Sequence, residues 1–348
     1  MTDASVAAAR ALERFGLEAS DLAPLGRGLI NATFRVRARA GDFVLQRLSP
    51  IFDPAIHDNI RAVSERLRAR GLRTPTLVPA NDGRLWIDLG AEGVWRVFDY
   101  VEGHIFEATE TEGQARAAGE LLGRFHAALD GLAHTFVGRR LGVHDTEAHL
   151  RTLARAVGER SGHRLWSRVA PLASSIASAS AALAPLPALG ERVCHGDPKL
   201  GNVLFAGAHG ADRERAVCLI DLDTVAPLHL GHEIGDAWRS WCNPEPEDAP
   251  RPELRLAWMA AAWEGYRQGI GRALSGDERR ALLLGPEWVS LELAARFAAD
   301  ALVESYFGWD PCRFASAGDH NLARAEGQWA LHLATVATRA ERARLLGV

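Results

Sequence analysis

The run His195-Gly196-Asp197-Pro198-Lys199-Leu200-Gly201-Asn202 sets a carboxylate and a carboxamide five positions apart, and the next apolar run, Ala216 to Ile220, ends on Asp221-Leu222-Asp223-Thr224. This pairing constrains the fold more than any other feature. Short apolar runs containing β-branched residues read as buried strands, so Asp221 stands at a strand end. A carboxylate there can hold magnesium, which takes one or two oxygen ligands from protein and leaves the rest to phosphates and water; Asn202 and Asp221 supply such a set. Lys199 is the only lysine among 40 cationic residues. Where arginine serves every generic need for positive charge, a retained ammonium suits a compact point-charge task such as meeting a phosphate oxygen.

The segment matches the H-R-D-x-x-x-x-N template of kinase catalytic loops with Gly196 in place of the arginine. Together with the Ile220-Asp221 step it resembles the aminoglycoside phosphotransferase and choline kinase superfamily, and most of the chain can be laid on that plan. The resemblance implies a bilobal protein-kinase-like α+β fold, with a small antiparallel-sheet N-terminal lobe (1–100) and a larger, mainly helical C-terminal lobe (101–348). It implies ATP and Mg2+ as cofactors. Asp197 would accept the substrate hydroxyl proton, Lys199 would contact the γ-phosphate, and Asn202 and Asp221 would hold the metal. Asp223 would be a second ligand or a hydrogen-bonding support, His195 would orient the loop, and Asp236 would brace it from a neighbouring helix.

Composition agrees with such an enzyme. The length suits two domains with real cores, and the net charge of -4, with arginines spread along the chain, argues against a nucleic-acid partner. Cys194, Cys218, Cys242 and Cys312 show neither zinc nor disulfide spacing, which fits reduced thiols in the cytoplasm. The N-terminus carries an early acid, Asp3, and lacks an apolar core of signal-peptide type, and no run of eighteen uncharged apolar residues occurs, so neither secretion nor membrane insertion is expected.

Along the chain, residues 24 to 48 predict a hairpin whose Gly26 and Gly28, with Asn31, would meet the nucleotide phosphates. The kinase plan calls for a lysine on the second strand, where this chain has Gln46-Arg47. Alternation allows only one of the two to point inward, and Arg47 is expected to supply the cation. A helix starting at Asp53-Pro54 would bury Ile56, Ile60, Val63 and Leu67 and end at Gly71, leaving Asp58 and Glu65 in water. Trp95 to Gly103 reads as a strand entering a connector, and the resemblance makes Asp99, Tyr100, Val101 and Glu102 the nucleotide hinge. Thr109-x-x-Glu112 predicts a capping box for the next helix, on which His126 is expected as a core or edge histidine rather than a ligand. Residues 243 to 252 predict an exposed, mobile loop near the substrate side.

Longer strings, among them residues 28–34, 44–48, 58–60, 221–225 and 320–324, resemble the N-acetylhexosamine 1-kinase branch. That branch implies a small-molecule acceptor, a sugar phosphorylated at its anomeric hydroxyl. Arg324 is the first expected sugar contact, followed by Arg239, Arg296, Asp300 and Tyr306. Residues 287 to 348 carry eight acids and six arginines, a near balance that favours a neutral sugar over a polycation. The alternatives are a kinase of another small alcohol or an aminoglycoside, and a catalytically silent kinase-like binding protein.

Overall fold

The computed structural model describes residues 3–26, 31–140 and 142–348. They form an α+β chain with an antiparallel sheet near the N-terminus and a helical remainder. Two compact units are present: one comprises residues 1–103, 128–140 and 220–226, the other 104–127, 141–219 and 227–348.

The first unit is built on a five-stranded sheet ordered β1-β2-β3-β5-β4, from β1 (Ala19–Pro24), β2 (Ala32–Ala38), β3 (Gly41–Arg47), β4 (Ile87–Asp88) and β5 (Val94–Asp99). Pro24 is tolerated because β1 is an edge strand and needs no ladder donor there. Alternation gives the sheet two chemically different faces. Phe34, Val36, Leu45, Trp95 and Val97 share one face and are buried with Ala8, Ala11 and Leu12 of helix α1 (Asp3–Arg14) and with Phe15 just after it. Thr33, Gln46 and Arg96 lie in register across β2, β3 and β5 on the other face.

Helix α2 (Ile56–Ala69) buries the predicted stripe of Ile56, Ile60, Val63 and Leu67, with Asp58 and Glu65 exposed. It begins just after Asp53-Pro54, where Asp53 accepts the Ala55 N–H at 2.8 Å, and the chain leaves it through Gly71 at φ +76°. That conformation suits a residue without Cβ.

The second unit centres on α8 (Gly276–Val303), which packs against α4 (Thr146–Glu159), α5 (Trp166–Ala182) and α9 (Ala317–Ala337) around Leu153, Val169, Ile176, Phe297 and Leu322. Ser275 and Glu278 close its N-terminus with a reciprocal capping box. Helix α6 (Leu230–Trp241) approaches α8 backbone to backbone: a Cβ on Gly235 would stand 2.4 Å from the Gly285 carbonyl oxygen. Glycine at 231, 235 and 285 lets these helices touch, which sets the depth at which α6 carries its polar side chains.

Helix α3 (Glu112–Leu129) starts with a capping box displaced by two residues from the expected one. Thr111 Oγ1 accepts the Gln114 N–H at 3.2 Å, while Gln114 Oε1 accepts those of Glu110 and Thr111 at 2.7 and 3.3 Å. Gly119 and Gly123 of α3 lie against α7 (Leu256–Ile270), where a Cβ on Gly119 would fall 2.1 Å from the Ala262 carbonyl oxygen. This close approach carries His126 to Tyr266. The expected mobile excursion at 243–252 is instead pinned. Asn243 Oδ1 accepts the N–H groups of Glu245 and Glu253, Asp248 is buried between Arg313 at 2.8 Å and His320 at 3.3 Å, and Ala249 is buried. Gly327 of α9 lets the loop backbone come close, since a Cβ there would meet the Glu247 carbonyl oxygen at 2.6 Å. Proline content signalled loop correctly; its side-chain anchors lie on elements far away in sequence.

Candidate active site

In the second unit, strand β6 (Arg192–Cys194) delivers His195, Gly196 and Asp197, a 3-10 turn follows at Leu200–Asn202, and strand β7 (Val203–Phe205) leads away, pairing with β8 (Ala216–Leu219). Gly196 sits at φ +83°, a region that arginine enters only under strain, which accounts for glycine at this template position. Helix α6 fixes the loop. Glu233 accepts the backbone N–H of His195 on Oε1 and that of Gly196 on Oε2, both at 2.9 Å. Ser240, two turns later on the same face, accepts the Leu200 N–H at 3.0 Å.

Glu233 is fully buried and bonded to His126 Nε2 at 3.2 Å, whose Nδ1 meets the Tyr266 hydroxyl at 2.8 Å. Burial alone would raise the Glu233 carboxyl, but the His126 hydrogen bond and the surrounding donors outweigh it, and the group is held below its usual range. Cys194 also lies beside His126 and Glu233, close enough for the three to group as metal-ligating atoms. The hydrogen bonds already made by the histidine and the carboxylate give the group a structural task.

The Asp197 carboxylate is oriented from two sides, by Lys199 Nζ at 2.6 Å and Asn202 Nδ2 at 3.1 Å, both on Oδ2. The Asn202 amide also donates to the Asp197 carbonyl at 2.8 Å. Spending the amide nitrogen on Asp197 leaves the amide oxygen, the atom that a hard cation would use. The expected brace therefore shifts by one turn of α6. Asp236 pairs with Arg239 at 2.6 Å, and Glu233 takes the loop backbone. Burial pushes the Asp236 carboxyl up, Arg239 draws it down, and the Asp197 charge pushes it up again; the balance lies above the ordinary value. The signal available in sequence was the i, i+3 spacing of Glu233 and Asp236, which puts both on one helix face.

In the first unit, Asp221 adopts a left-handed backbone at φ 65° and ψ 61°, uncommon for a non-glycine residue and concentrated at functional turns. Asp223, two residues on, is buried in an ion pair. Its carboxylate is 2% exposed, pairs with Arg96 at 2.7 Å and accepts from Asn31 Nδ2 at 2.9 Å. Arg96 in turn donates to Gln46 Oε1 at 3.0 and 2.8 Å. Burial would raise the Asp223 carboxyl, but Arg96 and Asn31 hold it below its ordinary value.

The orientation expected on β3 is thus reversed: Gln46 faces this cluster, and Arg47 lies exposed on the opposite side. The buried cation comes from β5. His57 packs nearby, and burial, then the Arg96 charge, lower it to about 4, so it stays neutral beside the guanidinium.

Asn31 also accepts the Ser49 N–H at 2.9 Å, tying the turn after the glycine loop to the same cluster. Gly26 has φ +74°; Gly28 lies outside the described residues. Asp99 accepts the Thr76 N–H at 2.5 Å and its hydroxyl at 2.9 Å, the Tyr100 ring lies 4.2 Å from the Arg35 guanidinium, and Val101 and Glu102 continue outside the sheet.

Of the expected acceptor contacts, Arg239 and Arg324 meet through Glu247, at 3.0 and 3.7 Å. Arg324 also donates to the Gly308 carbonyl at 2.8 Å. Asp300 is occupied structurally, accepting the N–H groups of Ser305, Tyr306 and Phe307 and the Asn321 amide. Arg296 stands 3.9 Å from buried Glu292 and 5.9 Å from the ring of exposed Tyr306.

Residues 21–284 match the model of the phosphotransferase enzyme family. The chain belongs to that family. Solved structures share this phosphotransferase's protein-kinase-like fold. A microcompartment-associated aminopropanol kinase aligns at TM-score 0.65 and 19% identity over 97% of this chain and 98% of that one. An amicoumacin kinase in complex with AMP-PNP, Ca2+ and Ami aligns at TM-score 0.62 and 14% identity over 93% and 92%. A choline/ethanolamine kinase family protein from Mesorhizobium loti aligns at TM-score 0.52 and 18% identity over 90% and 93%.

Replacing Glu233 with glutamine sets an amide N–H against a backbone or imidazole donor, at a cost of about 1–3 kcal/mol. Steady-state kinetics of Glu233→Gln should show kcat lowered about tenfold or more with KM for ATP within about threefold. An unchanged kcat would remove the clamp from the account.

Proposed function

We propose that this phosphotransferase moves the terminal phosphoryl group of ATP to a hydroxyl of a small molecule, and that the hydroxyl is the anomeric one of a hexose or N-acetylhexosamine. The observation that carries the reading is the Asp197 carboxylate, oriented by Lys199 and Asn202 in a loop whose backbone Glu233 holds. Asp197 takes the proton as the acceptor oxygen bonds to the γ-phosphorus and the bond to the ADP oxygen breaks. Lys199 offers its ammonium to the transferred phosphoryl oxygens. Asn202 and Asp221 supply hard oxygen ligands suited to Mg2+, which when bound neutralises charge on the phosphates. Tyr100, Val101 and Glu102 take the adenine side, and Gly26, Gly28 and Asn31 the phosphate side.

The sugar rests on the strings shared with the N-acetylhexosamine 1-kinase branch and on Arg324 and Arg239 as directional donors. A cytoplasmic setting is supported by four free thiols, Cys312 among them exposed. No described helix is long and apolar enough to cross a membrane.

Two experiments test the reading. Asp221→Ala should abolish Mg2+-dependent ATP binding in calorimetry. Asp223→Asn should mainly lower stability, by about 3–5 kcal/mol, because it strips a buried Arg96 of its counter-charge. Equal loss of ATP binding in both would make Asp223 a ligand too. For the acceptor, a free hexose or hexosamine is offered beside its 1-O-methyl glycoside, in which only the anomeric oxygen is blocked. Turnover is expected with the free sugar alone; efficient phosphorylation of the glycoside, or of an amino alcohol or aminoglycoside only, would overturn the anomeric assignment.

A further inference from the structure

A run of alternating charge crosses the second unit from α6 to α9. Asp236 binds Arg239 at 2.6 Å, Arg239 binds Glu247 Oε1 at 3.0 Å, and Glu247 Oε2 stands 3.7 Å from Arg324 Nε. Arg239 thus joins Asp236 on its own helix to Glu247 in the 243–252 loop. The two arginine side chains are 10% exposed, whereas Glu247 is 35% exposed, so within this run the carboxylate presents open acceptor positions. Three carboxylates (Asp197, Asp236, Glu247) are matched by three cations (Lys199, Arg239, Arg324). A polycation gains little from such a balanced field, and an ammonium at Glu247 would meet two guanidinium groups. Hydroxyls pay no such penalty.

We propose that Glu247 is a specificity-determining residue of the acceptor site: its carboxylate, the exposed member of this run, accepts hydroxyl hydrogens of a neutral, polyhydroxylated acceptor. The pinned loop 243–255 is the element that delivers it, and its anchoring by Asn243 and Asp248 keeps the carboxylate in place before substrate arrives. This inference rests on the sugar reading above and adds a residue that the sequence did not single out.

The test pairs protein variants with substrate variants. Wild type, Glu247→Gln and Glu247→Asp are assayed with a free hexose and with its monodeoxy analogues, each lacking one non-anomeric hydroxyl; thermal melts and KM for ATP report folding and the nucleotide side. Wild type should lose about tenfold or more in kcat/KM with at least one deoxy sugar. Glu247→Gln and Glu247→Asp should each raise KM for the parent sugar about tenfold, leave KM for ATP within about twofold, and cease to distinguish that deoxy sugar from the parent. A variant that merely loosened the loop would weaken all the sugars alike and keep the discrimination, and that result overturns the proposal. So does a parent-sugar KM within about twofold of wild type in both variants, in which case the sugar reading itself stands. If wild type turns over no free sugar but does turn over an amino alcohol, the sugar reading and this inference fall together.

Discussion

The Glu233 carboxylate, bonded to the backbone N–H groups of His195 and Gly196, is the interaction on which the second unit's chemistry depends. A carboxylate buried this completely stays ionised only because His126 and those two donors compensate its desolvation. Each partner then acquires a structural reason. The α3–α7 glycine contact brings His126 and Tyr266 together, the α6–α8 glycine contact sets Glu233 at depth, and glycine at 196 permits the turn that points its N–H at the carboxylate. The loop is thereby fixed through its backbone, and the side chains of Lys199 and Asn202 are left to meet Asp197.

The first unit solves a related problem with a different charge. Arg96 and Asp223, 1% and 2% exposed, form an ion pair too deeply buried to be justified by stability alone. Gln46 and Asn31 complete the hydrogen bonding, so the cluster joins β3, β5, the glycine-loop exit and the turn carrying Asp221. A glutamine stands where the kinase plan has lysine because the cation enters from the adjacent strand. The guanidinium is already committed to Asp223, two residues from Asp221.

Motifs with fixed spacing were legible in the sequence: the Asp197–Asn202 loop, the strand ending before Asp221, the α2 stripe and the N-terminal hairpin all stand where residue pattern placed them. Partners distant in sequence were not. Gln46 and Arg47 were resolvable only as opposite faces, and the covering of the Leu45 face by α1 decided which of them meets Arg96. Thr109-x-x-Glu112 and Thr111-x-x-Gln114 both satisfy the capping pattern, and helix phase selects the second. Proline content at 243–252 hid an ordered loop because its anchors, Arg239, Arg313, His320 and Gly327, come from other elements. Glu233 was overlooked beside Asp236 because one helix face carries both acids, and only packing depth tells which reaches the loop backbone.

In the proposed reaction Asp197, held by Lys199 and Asn202, removes the proton from the acceptor hydroxyl. Pre-steady-state phosphoryl transfer by Asp197→Asn, measured beside equilibrium ATP binding, addresses it most directly. The account predicts a rate lowered by about a hundredfold or more with nucleotide affinity within about threefold of wild type. A transfer rate near that of wild type would contradict it.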